Sequence, residues 1–150
     1  MNVRKILKRA GVGFVVLFAA IQLVPGGRNH DNPPVLNEPE WDSPRTRELA
    51  ATACFDCHSN ETVWPWYSNV APMSFFVQKH VDKGRKYLNF SEWDTEQKYG
   101  DETARATLEG WMPLDSYLWL HGEADLSEAE RAELAEGFSR MFGMRKPAKK

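Results

Sequence analysis

The chain has 150 residues, which is the size of about one domain. Its formal net charge is −2. The only charges before Arg28 are four basic side chains, so the remainder holds 15 basic and 21 acidic residues. This acidic remainder argues against nucleic acid as a partner and permits docking to a basic patch on another protein. The sequence shows no phosphate-binding glycine loop and no nucleophile elbow.

The amino-terminal segment is predicted to anchor the chain in a membrane. Residues 1–10 form a basic flank, and residues 11–27 carry no charge. The uncharged run from Ala10 to Gly27 would be about 27 Å long as a helix, close to the roughly 30 Å of a bilayer core. The basic flank should stay in the cytoplasm and the rest should be exported. A cleavable signal segment is the alternative, although no Ala-x-Ala site precedes Pro25.

Residues 28–43 are rich in proline and are predicted to form an extended linker, in which His30 is solvated. A domain over residues 44–142 should follow, with a basic tail at 143–150. Its first helix should begin with Ser43 as the N-cap and Pro44 as the first helical residue. Ala50 and Ala53 fall on the same predicted helix face as the cysteines that follow, which would let a flat cofactor approach the backbone.

Cys54-Phe55-Asp56-Cys57-His58 is the C-x-x-C-H pattern of covalent c-type haem attachment. The two thiols would each add to one vinyl group of a single haem, and His58 would bind the iron from the proximal side. Zinc binding is less favoured, because a closed zinc site needs four ligands and the chain has only two cysteines. A redox-active dithiol is a further alternative.

The remaining elements predict an all-α domain. Residues 64–69 read as an aromatic loop, where Trp64 and Tyr67 are candidates to contact the haem edge. A helix should run from about Ala71-Pro72 to Tyr87, a turn should follow, and a third helix should span residues 95–109. The last helix should open with the capping box formed by Ser127 and Glu130.

The sixth iron ligand would decide the chemistry of the site. Met112 is the preferred candidate, because it lies in a break between helices flanked by Gly110 and Pro113. His80 and His121 are alternative distal ligands, as is Met73, and an open or water-bound site is also conceivable. Arg85 is a candidate partner for a haem propionate, although such a basic run is usually just solvated.

These residues together resemble the bacterial haem-binding domain family of small membrane-anchored c-type cytochromes. The resemblance covers residues 35–142 and rests on the C-x-x-C-H motif and on two more specific blocks, Trp64-Pro65-Trp66-Tyr67-Ser68 and Asn89-Phe90-Ser91-Glu92-Trp93. It extends to Ala71-Pro72, Gly84-Arg85, Met112-Pro113, Tyr117 and Leu126-Ser127. The family usually has Met-Pro-Pro, whereas Leu114 follows Pro113 here. The resemblance implies a helical, cytochrome c-like domain around one haem c, outside the bacterial inner membrane.

The sequence therefore predicts a one-electron carrier with a single-pass anchor, a periplasmic haem domain and an unidentified redox partner protein. One alternative is a haem-based sensor or peroxidase-like enzyme with an open sixth site, in which His80 or His121 acts as an acid or base. Another is an accessory subunit of a membrane redox complex, in which the haem is chiefly structural.

Overall fold

The structure is a computed structural model that describes residues 2–143. The predicted basic tail therefore lies outside the described residues, apart from Gly143. The chain divides into two compact units, one formed by Met1–Asp31 and Trp64–His80 and the other by Asn32–Val63 and Val81–Lys150. Within the described residues the structure is helical, and its strand-like pairing is limited to one isolated bridge between Asn37 and Glu92. The predicted all-α class is confirmed.

The helices are α1 (Val3–Ile21), α2 (Pro44–Ala53), α3 (Phe55–His58), α4 (Met73–Tyr87), α5 (Thr103–Leu108), α6 (Asp115–Leu118) and α7 (Glu128–Phe142). Three short 3-10 segments lie at Trp66–Asn69, Gly100–Glu102 and Gly122–Ala124. Helix α4 contributes residues 73–80 to the first unit and residues 81–87 to the second.

Helix α1 is the main element of the first unit. Its N-cap is Asn2, its first half carries the basic side chains of the flank, and the helix ends at Ile21, before the predicted boundary at Gly27. Among residues 2–143, no helix has both the length and the apolar character needed to cross a membrane. The predicted transmembrane helix is therefore not confirmed.

The end of the predicted anchor and the first part of the predicted linker are held by hydrogen bonds inside the first unit, which corrects the expectation of a free tether. Gln22 exchanges hydrogen bonds with both backbone groups of Ala71. Arg28 donates to the carbonyl oxygen of Asn69 at 2.9 Å. His30 is half-buried, because its ring stacks on Trp64 with centroids 4.5 Å apart and its Nε2 donates to the carbonyl oxygen of Ser68. Polar side chains, invisible to hydrophobic periodicity, fix this segment.

The second unit is built on a core of aromatic and aliphatic side chains. Phe90 is fully buried and lies between the rings of Phe55, Trp41 and Phe138, with centroid distances of 5.4–5.8 Å. Helices α2, α5 and α7 bury their apolar positions around it. Ala50 and Ala53 belong to this core, so their helix face packs on protein and does not line a cofactor cavity. Much of the aromatic content is thus ordinary core.

Helix ends follow the sequence signals closely. Ser43 caps α2 by accepting a hydrogen bond from the Thr46 backbone, and Pro44 is its first residue. Ser127 and Glu130 form the predicted capping box at α7. The predicted helix over residues 95–109 is wrong in extent, because only residues 103–108 are α-helical.

Gly110 ends α5 with a φ of +72°, a conformation that favours glycine. The backbone N–H groups of Trp111 and Met112 then donate back to the carbonyl oxygen of Ala106 at 2.9 and 3.2 Å. With the hydrogen bond from Gly110 to Thr107, this is the Schellman pattern of helix termination. It turns the chain so that Met112 lies against the helix that it has just left.

Candidate functional site

The Cys-x-x-Cys-His motif forms a single tight turn in the second unit. Cys54 separates α2 from α3, and its carbonyl oxygen accepts hydrogen bonds from the backbone of Cys57 at 3.2 Å and of His58 at 2.9 Å. The two cysteines are half-buried and not joined to each other. The i, i+3 spacing within one turn places their side chains on neighbouring positions, which is what attachment to a single flat ring requires.

The His58 imidazole is fixed in one orientation by a backbone carbonyl. Its Nδ1 lies 3.0 Å from the carbonyl oxygen of Leu88. Because a carbonyl can only accept, Nδ1 carries the proton and the lone pair resides on Nε2. Burial lowers the pKa of His58, and hydrogen bonds to Leu88 and Gly84 only oppose this effect. A lowered pKa favours the neutral imidazole, which is the form of the ring that binds metals.

A cavity of about 280 Å³ lies beside this turn, close to the lower end of the usual range for small-molecule sites, roughly 300–1,000 Å³. Cys54 and His58 form part of its wall, and Met112 forms another part. The other lining residues present mainly apolar surface to the cavity. They are Tyr87, Leu88, Tyr99, Glu102, Thr103, Ala106, Thr107 and Trp111. Three of the predicted site residues are thus brought to one cavity.

The donor set of this cavity fits a haem. Cys54 offers a thiol, His58 an unprotonated Nε2 and Met112 a thioether, which are the groups that hold c-type haem covalently and axially. Tyr87, Tyr99 and Trp111 supply aromatic surface suited to a flat apolar ring. Cys57 lies one turn from Cys54 and is half-buried, although it is not among the lining residues.

The pKa values of the thiols disfavour a redox-active dithiol, and the available side chains disfavour a closed zinc site. Burial raises the pKa of Cys54 to about 12 and that of Cys57 to about 11, whereas a redox-active dithiol has a depressed thiol pKa. Within residues 2–143, no group of three or more His, Cys, Asp or Glu side chains could hold a metal ion. A closed zinc site, which needs four ligands, is not assembled there.

Comparison with known families shows the family to which the chain belongs. The sequence model of a family described as haem-binding domain matches residues 16–140. The chain belongs to this haem-binding domain family. No curated protein and no solved structure matches the chain significantly. The protein is accordingly a haem-binding protein, and the family resemblance inferred from its motifs is confirmed.

A buried polar network connects the motif of this haem-binding domain to the Asn89–Trp93 block. Asn89 donates from its side chain to Asn60 at 3.0 Å and accepts from the backbone of Ser91 at 3.0 Å. The Ser91 hydroxyl accepts from the backbone of Asn60 at 2.9 Å, and Phe90 donates from its backbone to the carbonyl oxygen of His58 at 2.8 Å. The block therefore fixes the carbonyl of Leu88 within hydrogen-bonding distance of the His58 Nδ1.

Arg85 has a different neighbourhood from the one that the sequence predicted. It does not line the cavity, and it is half-buried rather than solvated. Its guanidinium donates to the carbonyl oxygen of Ser59 at 2.8 Å and to the hydroxyl of Thr62 and the amide oxygen of Asn32 at 2.9 Å each. The residue braces the loop that follows His58, and a propionate contact stays a prediction.

Asp56, between the two cysteines, fixes a further segment. It accepts a hydrogen bond from the Tyr117 hydroxyl at 2.7 Å through one carboxylate oxygen and from the backbone of Val63 at 2.9 Å through the other. Burial and the Asp56 carboxylate raise the pKa of Tyr117, so its hydroxyl keeps the proton that it donates. Helix α6, which carries Tyr117, is thereby attached to the motif turn.

The other predicted distal ligands lie away from the cavity lining or in the first unit. His121 stacks on Tyr117 with centroids 4.1 Å apart and lies 3.2 Å from the Glu123 carboxylate. His80, in the first unit, packs on Phe76, and its Nδ1 donates to the Phe76 carbonyl oxygen at 2.8 Å. Their roles as iron ligands stay predictions.

In the first unit, Trp64 stacks on His30, and Tyr67 packs edge-on against Trp66, which is 78% exposed. Their contacts with the haem stay predictions.

Sequence reasoning missed most of the cavity wall. Thr103, Ala106 and Thr107 present one face of α5 to the cavity, but only a six-residue helix carries them, too short to give a clear period. Trp111 was detectable, because an aromatic residue directly before a candidate axial methionine is a natural haem neighbour. The roles of Asp56 and Asn89 depend on contacts with distant residues, which no local pattern reveals.

Proposed function

We propose that the protein is a c-type monohaem cytochrome that carries single electrons on the outer side of the bacterial inner membrane. The observation that carries this proposal is that Cys54, His58 and Met112 line one cavity, while Nδ1 of His58 donates to the Leu88 carbonyl and so leaves the lone pair of the ring on Nε2. A haem bound there would supply a one-electron couple between ferric and ferrous iron.

Each residue of the site would have its own role in such a carrier. Cys54 and Cys57 would hold the ring through two thioether bonds, which prevents loss of the cofactor. His58 would bind the iron through Nε2, and the Leu88 carbonyl would keep the imidazole electron-rich by accepting its Nδ1 proton in a hydrogen bond. Met112 would supply a thioether ligand, which favours the reduced iron.

The surroundings would tune the potential of the carrier. Tyr87, Tyr99 and Trp111 would exclude water from the ring faces, and a low local dielectric favours the less charged, reduced iron. Glu102 also lines the cavity, and a carboxylate near the iron would work in the opposite direction by stabilising the ferric charge. The Schellman turn at Gly110 would hold Met112 in place, because Met112 donates its backbone N–H to α5.

The axial role of Met112 is tested by absorption spectroscopy. The oxidised protein is expected to show the weak deep-red charge-transfer band of methionine-ligated ferric haem, and Met112→Ala should abolish it. Met73→Ala is the matched control, because Met73 is a similarly exposed methionine in the first unit. A high-spin spectrum of the unaltered protein, together with carbon monoxide binding to its reduced form, would contradict the carrier and favour a sensor or peroxidase-like enzyme.

The proposed location rests on the amino-terminal segment. Helix α1 carries its basic residues in its first half and exposes apolar side chains along the remainder, including Phe14 at 70% and Leu17 at 71%. Positive charge on one flank and apolar exposure on the other favour insertion with the flank in the cytoplasm. Protease treatment of spheroplasts should digest the haem domain. Protection of that domain would contradict export.

A further inference from the structure

An exposed apolar pair follows helix α6 in the second unit. Trp119 is 82% exposed and Leu120 is 62% exposed. Neither side chain is among the residues that line the cavity beside the motif turn. Adjacent large apolar side chains that remain open to water are unusual on a folded domain and commonly mark an interaction surface.

Negative charge surrounds this pair in sequence. Residues 106–130 contain no lysine or arginine, although the chain has 19 such residues, and they contain six acidic ones. Asp115 and Glu123 are exposed and lie within four residues of Trp119 or Leu120, whereas the nearby Asp125 is paired with Arg131 at 3.9 Å. An apolar centre with an acidic rim is complementary to an apolar patch ringed by lysine or arginine, and such complementarity speeds diffusional encounter.

The same segment is connected to the haem-binding motif. Tyr117, two residues before Trp119, donates its hydroxyl proton to Asp56 at 2.7 Å, and Asp56 lies between the two cysteines. One hydrogen bond and a short run of covalent bonds therefore join the apolar pair to the attachment turn. Electron transfer falls steeply with distance through non-bonded space, so a partner docked at this place would be favourably coupled.

We propose that Trp119 and Leu120, with the rim formed by Asp115 and Glu123, are the docking surface for a redox protein that presents an apolar patch ringed by basic residues. This inference rests on the proposed carrier function and adds to it the place and the chemistry of the partner. The partner takes up or delivers one electron while it contacts this Trp119 surface, and the acidic rim raises the rate of productive encounter.

Stopped-flow oxidation of the reduced, haem-loaded full-length protein tests the surface. The probe is the tris(phenanthroline)cobalt(III) cation, an apolar trication that accepts one electron from the protein and becomes cobalt(II). Ferricyanide, a polar anion that also accepts one electron, is the contrasting probe. The variants are Asp115→Lys/Glu123→Lys, Trp119→Ser, and the control Glu40→Lys/Glu48→Lys, which makes the same change of net charge at exposed positions elsewhere in the unit.

At low salt, Asp115→Lys/Glu123→Lys should slow oxidation by the cobalt cation about tenfold, the lower end of the usual range for electrostatic steering. It should accelerate oxidation by ferricyanide, and about 1 M salt should remove both effects because it shortens the Debye length to about 3 Å. The control pair should change the rates far less. Trp119→Ser should slow only the cobalt reaction, at every salt concentration.

Equal rates for the two charge-reversed pairs would overturn the Trp119 surface while leaving the carrier function intact. An unaltered reaction of Trp119→Ser with the cobalt cation would also overturn it. Failure of the unaltered protein to pass an electron to either probe would instead overturn the carrier function, and the docking surface with it. The two proposals therefore fail in different measurements.

Discussion

At the residue scale, His58 is held by backbone groups that lie about thirty residues further along the chain. Leu88 accepts the Nδ1 proton through its carbonyl, and the backbone of Phe90 donates back to the carbonyl oxygen of His58. Asn89 lies between these two residues, is almost fully buried and joins Asn60 to Ser91. Buried polar groups of this kind stabilise a site only while all their partners are present.

Substitution of Asn89 tests this network. Asn89→Ala leaves the amide oxygen of Asn60 and the backbone N–H of Ser91 without their partner, so the free energy of unfolding should fall by about 1–3 kcal/mol. Urea unfolding followed by circular dichroism measures the change. Thr52→Ala, at an exposed position of α2, should stay within about 0.5 kcal/mol. Equal midpoints for the two variants would show that the network is not needed.

An ion pair in the second unit should give the stability a dependence on acid pH. The Arg47 guanidinium donates to both carboxylate oxygens of Glu38, at 2.6 and 2.7 Å, and lowers the pKa of Glu38 below its ordinary value of 4.5. A lowered folded pKa means that the unfolded chain binds the proton more readily. The contribution is therefore complete well above pH 4.5 and is lost as the pH falls towards the folded pKa.

Glu38→Gln should flatten the acid side of the stability profile. Above about pH 5 the variant should be less stable than the unaltered protein by up to about 1 kcal/mol, and the two should converge as the pH falls below 4. Urea midpoints measured from pH 3 to pH 7 give the two curves. Glu40→Gln removes the same charge from a neighbouring exposed position. Parallel curves for Glu38→Gln and the unaltered protein would contradict the assigned role of the pair.

At the element scale, the motif turn and helix α4 approach each other so closely that only glycine fits between them. A Cβ atom added at Gly84 would overlap the carbonyl oxygen of Cys57 and lie 2.8 Å from its carbonyl carbon. Backbone atoms on both sides leave no flexible side chain to move away. The close approach also places Leu88, one turn later in the chain, within reach of the His58 ring.

Gly84→Ala adds only one methyl group, but it should disturb the site strongly. Overpacking of backbone against backbone is expected to cost about 1–3 kcal/mol or more, despite the better helix propensity of alanine. The measurement is the urea midpoint of the haem-loaded protein together with its haem-to-protein absorbance ratio. Gly122→Ala is the control, since nothing lies within 4 Å of a Cβ there. If both variants match the unaltered protein in urea midpoint and absorbance ratio, the close contact between α4 and Cys57 does not restrict position 84.

Local signals predicted the ends of the helices well and the interior of the site poorly. Ser43-Pro44 and the capping box at Ser127 act through neighbours three residues away, so the sequence displays both partners together. The helix predicted over residues 95–109 failed because its weak period gave no reason to begin at Thr103, where the buried face of α5 starts. The sequence predicts Arg85 as a partner for a haem propionate or as a solvated charge. Its bracing role does not show there, because its acceptors at Asn32, Ser59 and Thr62 are far away in sequence.

At the scale of the whole molecule, composition alone did not distinguish the aromatic residues of the core from those of the cavity. Phe55, Phe90 and Phe138 form the protein core, whereas Tyr87, Tyr99 and Trp111 line the cavity. The Cys-x-x-Cys-His motif could be recognised because its spacing is typical of covalent haem attachment, and its residues stay predictions as haem ligands. The cavity wall opposite them could not be predicted, because it is assembled from separate segments of the second unit.

The direct test of the account is the intact mass of the full-length protein made in a bacterial host that matures c-type cytochromes. The account predicts a mass greater than that of the polypeptide by one haem, retained after denaturation, with Cys54 and Cys57 both unreactive towards thiol reagents. A Cys54→Ser/Cys57→Ser variant should lack the added mass under the same conditions. Bare polypeptide mass with two free thiols, or with a disulfide between them, would contradict covalent haem attachment and the electron-carrier function built on it.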